Sequence, residues 1–181
     1  MVAAFILVYI IIIGRLDIFR WLLAFSFFTD SIDGVLARKF KVVSVMGSRI
    51  DSIGDDLTVL VAVIGIYFFE PAFIHQYYPW ILILFGLLLI QTIMAFYRYG
   101  KPTSFHTYLA KLAMLFQGIF LILFFCLPEW PIVLFFIAVG VTMLDLIEEI
   151  IMIVYLPEWQ ADVKGLFWIK KTKNKIDRVP K

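Results

Sequence analysis

Apolar residues form six long stretches of the chain, and short polar segments separate them. The stretches run over Met1–Ile13, Leu16–Arg38, Ile50–Phe69, Trp80–Tyr97, Tyr108–Leu127 and Ile132–Leu156. A helix needs about 20 residues to cross a bilayer, and five of the six stretches reach or nearly reach that length. Pro, Gly and polar residues occur in the separators 70–79, 100–107 and 127–131. The pattern therefore predicts six transmembrane helices.

The first stretch is too short to span a membrane. Either residues that precede Met1 are missing from this sequence, or the helix continues through Gly14 to about Phe19. The stretch has no basic region before it and no small-residue cleavage site after it. These features favour a membrane helix over a signal peptide.

The composition supports the same fold class. Hydrophobic residues make up 63% of the chain and charged residues 17%, with a mean hydropathy of +0.97, whereas a soluble domain is about 45–50% apolar. We therefore expect an all-α polytopic membrane protein, with one domain over residues 1–157 and a basic cytoplasmic tail over 158–181. The single Cys126 excludes an internal disulfide. Nothing in the composition predicts a nucleic-acid partner.

Lysine and arginine concentrate in alternate connections. They occur in 38–49, in 98–111 and in the tail, whereas 70–79 and 128–131 have none. Because cytoplasmic loops carry the excess of basic residues, the link between helices 2 and 3 and the tail are expected in the cytoplasm. We expect a bacterial cytoplasmic membrane. The tail either lies on anionic lipid or acts only as a topology signal.

Four aspartates interrupt the apolar pattern between helices 2 and 3. Asp30 and Asp33 lie about 60° apart on a helix. Gly47, Asp51 and Asp55 are spaced by four and form one stripe. Because the link between the two helices is short, we expect them to run antiparallel, so that the two acidic faces can meet.

Carboxylates facing one another at membrane depth are unstable without a cation. Each costs roughly 2.5–3.5 kcal/mol on insertion scales, and oxygen ligands of this kind suit Mg²⁺ or Mn²⁺. Two such ions about 3.5–4 Å apart would stabilise both the attacking and the leaving oxygen of a displacement reaction. Arg38 can bind a phosphate with two hydrogen bonds, and Gly34 and Gly47 allow a base or ribose close to the backbone. The alternative is that the aspartates only cap helices or pair with nearby basic residues.

This spacing resembles the signature of the CDP-alcohol phosphatidyltransferase family. The matching positions are Asp30-x2-Asp33-Gly34-x2-Ala37-Arg38-x8-Gly47-x3-Asp51-x3-Asp55. The resemblance implies that Asp30, Asp33 and Asp51 hold one divalent cation, and that Asp30, Asp51 and Asp55 hold the second. It also implies a homodimer and an active site that faces the cytoplasm between helices 2 and 3.

The resemblance also assigns the reaction. Gly34, Ala37, Arg38 and Gly47 would line the CDP site. A hydroxyl of an acceptor alcohol would attack the β-phosphate of CDP-diacylglycerol, with Asp55 as the general base, and CMP would leave. A carboxylate placed to take a proton from the attacking hydroxyl agrees with the reasoning from the residues.

Three basic residues are candidates for binding the acceptor, a small polar or anionic alcohol. Arg98, Lys101 and Lys111 could bind glycerol 3-phosphate, or they could be topology signals only. Lys111 and Gln117 resemble a Gly-Lys-x-Lys-Thr-x-x-Gln segment of phosphatidylglycerophosphate synthases. The departures are Ala110, Ala113 and Met114.

Other acceptors stay open. CMP-forming cardiolipin synthases also have a Lys and a Gln at this spacing, and phosphatidylinositol-type and phosphatidylserine-type synthases are further alternatives.

A second acidic cluster lies in helix 6. Asp145, Glu148 and Glu149 share one face of the helix. They could shape the acceptor pocket, pair with Lys111, or form structural polar contacts between helices.

A non-enzymatic protein could use the same aspartates as a divalent-cation transporter or sensor. A transport path needs polar residues across the membrane, whereas the outer halves of helices 2 and 3 are apolar. A catalytically inactive partner subunit is a further alternative, and the complete motif argues against it.

Overall fold

The computed structural model describes residues 2–39, 45–103, 105, 107–160 and 163–167, and its description of side chains leaves out residues 2, 30, 31, 33–39, 45–53, 55 and 56. Within these ranges the chain forms six helices and no strand, which confirms the all-α prediction. The helices are α1 Val2–Ile12, α2 Leu16–Lys39, α3 Val45–Phe69, α4 Pro71–Tyr99, α5 Tyr108–Cys126 and α6 Ile132–Tyr155.

The first helix ends before Gly14, so its predicted continuation to Phe19 is wrong. Gly14 has a φ of 68°, a left-handed conformation that glycine adopts without steric cost. Its N–H donates to the Ile11 carbonyl at 3.0 Å, and the Arg15 N–H donates to the Ile10 carbonyl at 3.3 Å. This pair of bonds is a Schellman motif, which terminates α1 and starts a new helix at Leu16.

Helices α3 and α4 both begin earlier than the apolar pattern predicts. The structure starts α3 at Val45 rather than Ile50, and only Glu70 separates α3 from α4. The prediction of a connection over 70–79 is therefore wrong. Pro71 is the first residue of α4, a position where the missing N–H would have no helical partner.

Pro79 lies inside α4, where proline removes one helical hydrogen bond. Aromatic packing holds the turns that precede it. Phe73 is fully buried, and its ring centroid lies 4.8 Å from that of Phe124, 5.1 Å from that of Phe135 and 5.3 Å from that of Trp130. Tertiary contacts thus outweigh the local signal to break the helix.

The chain divides into two compact units. The first contains Met1–Pro79 and Gln117–Phe135, and the second contains Trp80–Phe116 and Phe136–Lys181. In the first unit, α1 contacts both α2 and α3, and α2 contacts α3. The second unit has its own core, formed by Ala95, Phe105, Met152, Ile153 and Leu156.

Two of the described helices are long and apolar enough to cross a membrane. They are Pro71–Tyr99 and Tyr108–Cys126. Large apolar side chains such as Trp21, Leu82 and Val133 are exposed on the helix surfaces, where lipid would cover them. These features indicate an integral membrane protein, and the number of spans remains a prediction.

Candidate active site on helices α2 and α3

All eight motif residues lie in two adjoining helices. Helix α2 carries Asp30, Asp33, Gly34, Ala37 and Arg38, and helix α3 carries Gly47, Asp51 and Asp55. The structure describes these residues through the helices that contain them, and their side chains lie outside the described set. The described parts of the same two helices have buried residues at helical spacing.

Helix α2 has a buried stripe that leads into the motif. Phe19, Leu23 and Ser26 are 0%, 0% and 2% exposed, and they follow one another at steps of four and three residues. Asp30 and Asp33 continue these steps. The spacing in the sequence therefore predicts the same face of α2 for these two aspartates.

Helix α3 has a matching stripe. Thr58, Ala62 and Ile66 are at most 2% exposed, and the Thr58 hydroxyl donates to the Gly54 carbonyl at 2.9 Å. Counting back from Thr58, Asp55 precedes it by three residues and Asp51 by seven. This spacing in the sequence predicts the same face of α3 for both aspartates.

The two stripes meet at the ends of the helices that are distant from the motif. A Cβ atom on Gly65 would lie 2.6 Å from Cζ of Phe19, and the Phe19 and Phe69 ring centroids are 5.4 Å apart. The start of α2 thus packs against the end of α3, while the short link joins the opposite ends. This is the antiparallel hairpin that the short link predicts.

The donor set on this hairpin suits hard divalent cations. Four carboxylates at i, i+3 and i, i+4 spacing on two adjoining helices offer only oxygen ligands. The buried Ser26 hydroxyl, one turn before Asp30, has no hydrogen-bond partner among the described atoms. The buried stripe of α2 therefore includes a polar side chain one turn before the motif. No group of three or more metal-ligating side chains occurs among those described, a set that does not include the motif aspartates.

The three candidate acceptor residues lie in the second unit. The Arg98 Nε–H donates to the Leu156 carbonyl at 3.0 Å, and Lys101 Nζ lies 4.0 Å from the centroid of the Trp159 ring. Lys111 is exposed in the first turn of α5, with Nζ 5.4 Å from the Tyr108 ring centroid. Their predicted role in binding the acceptor stays a prediction.

A comparison with protein-family models adds an independent observation. The model described as CDP-alcohol phosphatidyltransferase matches residues 1–155. The chain belongs to the CDP-alcohol phosphatidyltransferase family. The resemblance of the aspartate motif is therefore confirmed at the level of the family. No curated protein and no solved structure matched the chain.

Membership of the CDP-alcohol phosphatidyltransferase family establishes the general activity. The family transfers a phosphatidyl group from a CDP-alcohol to an acceptor alcohol within a membrane, in phospholipid synthesis, and it generally depends on divalent cations. The four aspartates on the hairpin offer the oxygen ligands that such cations prefer.

The acidic residues of α6 make polar contacts within the second unit. Asp145 accepts from the Thr107 hydroxyl at 3.3 Å. Glu149 Oε2 accepts from Gln91 Nε2 at 2.7 Å and from the Thr103 hydroxyl at 3.0 Å. Glu148 Oε1 accepts from the Leu166 N–H at 2.9 Å. These contacts match the structural interpretation of the cluster.

Sequence reasoning missed some of the polar contacts in the second unit of this phosphatidyltransferase. The sequence "LPEW" occurs twice near helix ends, where tryptophan is typical of the aromatic belt at a membrane surface. The first copy places Trp130 against Phe73, but the second places Trp159 under the Lys101 ammonium. Gln91 could have been found as an isolated amide in an apolar run, since buried amides need partners.

Proposed function

We propose that this phosphatidyltransferase transfers the phosphatidyl group of CDP-diacylglycerol to glycerol 3-phosphate. The acceptor oxygen forms a bond to the β-phosphorus, the pyrophosphate P–O bond breaks, and CMP leaves. One observation supports the proposal: all eight motif residues lie in two adjoining helices, inside the region that matches the family.

The motif residues divide into three roles. Asp30, Asp33, Asp51 and Asp55 hold two divalent cations, either Mg²⁺ or Mn²⁺, which when bound offset the negative charge on the pyrophosphate. Asp55 also accepts the proton of the attacking hydroxyl, which makes that oxygen a better nucleophile. The CDP group is held by Gly34, Ala37, Arg38 and Gly47.

The acceptor is assigned from charge. Three cationic groups lie in the last turn of α4, in the connection that follows and in the first turn of α5, and they belong to Arg98, Lys101 and Lys111. A phosphate-bearing alcohol such as glycerol 3-phosphate complements them better than the zwitterion serine, and inositol phosphate would share this complementarity. Phosphatidylglycerol, as in cardiolipin synthesis, is a second anionic acceptor.

The test is CMP release by the purified protein in liposomes. The liposomes contain CDP-diacylglycerol and Mg²⁺ or Mn²⁺, and candidate acceptors are added one at a time. We expect release with glycerol 3-phosphate, and loss of release with EDTA. Asp51→Asn and Asp55→Asn should each lower turnover by at least about 100-fold, because they remove a metal ligand and the proposed base.

Asp56→Asn is the matched control, since Asp56 is adjacent to Asp55 and outside the motif. It should keep turnover within about two-fold, because it removes neither a proposed metal ligand nor the proposed base. Asp55→Asn should still bind CDP-diacylglycerol, and unchanged turnover in this variant would reject its role as the base. CMP release with a different acceptor alone would reject glycerol 3-phosphate as the substrate. Uptake of divalent cations into the liposomes without any CMP release would favour the alternative of a cation transporter.

A further inference from the structure

The chain after α6 packs on the second unit and touches the segment that carries the candidate acceptor residues. We call residues 156–160 and 163–166 the docked segment. Its first residue, Leu156, is 5% exposed in the core of this unit. The Leu156 carbonyl accepts from Arg98 Nε and from the Tyr99 hydroxyl, both at 3.0 Å. The first residue of the docked segment therefore contacts Arg98, the first of the three candidate acceptor residues.

Trp159 makes the second contact, at the second candidate residue. Its indole N–H donates to the Pro102 carbonyl at 3.0 Å, and its ring lies 4.0 Å from Lys101 Nζ. An aromatic face attracts an ammonium through its charge distribution. The contact does not require a directed N–H bond, so the ammonium, which has three N–H donors, can still bond to a phosphate oxygen.

The end of the docked segment fixes the start of α5. The Tyr108 N–H donates to the Lys164 carbonyl at 3.4 Å. This N–H belongs to the first turn of α5, so the bond joins that turn to the docked segment. The Leu166 N–H in turn donates to Glu148 of α6 at 2.9 Å. Lys111, the third candidate residue, follows in the same first turn of α5.

We propose that the docked segment positions Arg98, Lys101 and Lys111 for binding the acceptor. Two of its contacts engage the side chains of Arg98 and Lys101 without neutralising their charge. The third joins its backbone to the first turn of α5, which carries Lys111. Trp159 is the central positioning residue because it holds both the Lys101 ammonium and the backbone of Pro102. This inference rests on the proposed function, since it requires that these basic residues bind the acceptor.

The experiment separates the two substrates. KM for glycerol 3-phosphate, KM for CDP-diacylglycerol and kcat are measured in liposomes for the unchanged protein and for Trp159 variants. Trp159→Leu removes the ring and the N–H donor, and we expect a rise of roughly five-fold in KM for the acceptor. Trp159→Phe keeps an aromatic face and should give a smaller rise. KM for CDP-diacylglycerol should stay within about two-fold for both variants.

A second pair of variants guards against simple misfolding. Glu148→Gln retains an oxygen that can accept from the Leu166 N–H, whereas Glu148→Ala does not. We expect the alanine variant to raise KM for the acceptor and the glutamine variant to restore it. Glu158→Gln is the matched control, because Glu158 is exposed on the same segment, and it should change neither KM.

Three results would overturn the inference while leaving the proposed function intact. They are an unchanged KM for the acceptor in Trp159→Leu and Glu148→Ala, an equal rise in both KM values, or a fall in kcat alone. If the unchanged protein uses a different acceptor, glycerol 3-phosphate is rejected, and the same comparison of KM values is made with that acceptor. If no acceptor supports CMP release, the inference falls together with the proposed function.

Discussion

At the residue scale, the choice of arginine at position 38 bears directly on the proposed chemistry. Arg38 lies one residue before the end of α2. A guanidinium can form two parallel hydrogen bonds to a phosphate, whereas a lysine ammonium acts as a point charge. The proposed CDP site therefore depends on the geometry of this side chain as well as on its charge.

We predict that Arg38→Lys raises KM for CDP-diacylglycerol by about 10-fold, because one charge-assisted hydrogen bond contributes roughly 1.5 kcal/mol. KM for the acceptor should not change. Lys39→Arg is the matched control, since it alters the adjacent basic residue outside the motif. Steady-state rates of CMP release give both KM values. If the two substitutions change KM for CDP-diacylglycerol equally, the assignment of Arg38 to the CDP site is wrong.

At the scale of the helices, close packing between Phe19 and Gly65 holds the hairpin that carries the motif. The Phe19 ring is fully buried. Its centroid lies 5.0 Å from that of Phe125 and 5.4 Å from that of Phe69. The ring fills the space that a side chain on Gly65 would occupy, which is the kind of small-residue contact that brings membrane helices together.

We predict that Gly65→Ala destabilises the protein by about 1–3 kcal/mol, because the new methyl group overpacks a ring that other rings confine. Thermal unfolding in detergent, followed by circular dichroism, should show a lower Tm by at least about 2 °C. Gly86→Ala is the control, since a Cβ there meets no atom within 4 Å.

The double variant Phe19→Leu with Gly65→Ala should recover part of the loss, because the smaller side chain makes room for the methyl group. If Gly65→Ala and Gly86→Ala unfold at the same temperature, the close packing does not contribute to stability.

At the scale of the whole molecule, the distribution of basic residues predicts the orientation in the membrane. The connection that contains Glu129 has no lysine or arginine, whereas the region after α6 is rich in lysine. The excess of basic residues keeps connections in the cytoplasm. Arg15 and Arg20 go against this rule, and Arg20 forms an ion pair with Asp17 at 2.7 Å, which offsets one of the two charges.

Cysteine labelling in intact cells checks the orientation. In a Cys126→Ser background, Glu129→Cys should react with a membrane-impermeant maleimide. Glu158→Cys should react only after the cells are permeabilised. Both glutamates are exposed, so accessibility of the side chain is comparable at the two sites. Labelling of Glu158→Cys in intact cells would reverse the predicted orientation.

The sequence by itself determined the site motif and most of the helices. Asp30, Asp33, Asp51 and Asp55 could be placed on helix faces because helical spacing is a local property of the chain. The same holds for the start of α2 at Leu16 and the start of α5 at Tyr108, which the apolar pattern predicts and the structure confirms. Family membership followed from the same residues.

The tertiary structure alone decided which distant parts of the chain pack together. Residues 71–79 are helical because Phe73 packs against rings that come from distant parts of the chain, and no local pattern contains that contact. Trp130 and Trp159 stand in identical "LPEW" motifs, yet one packs on Phe73 and the other on Lys101. The physical reason is that helix periodicity acts over a few residues, whereas burial and ion contacts depend on neighbours that only the folded chain brings together.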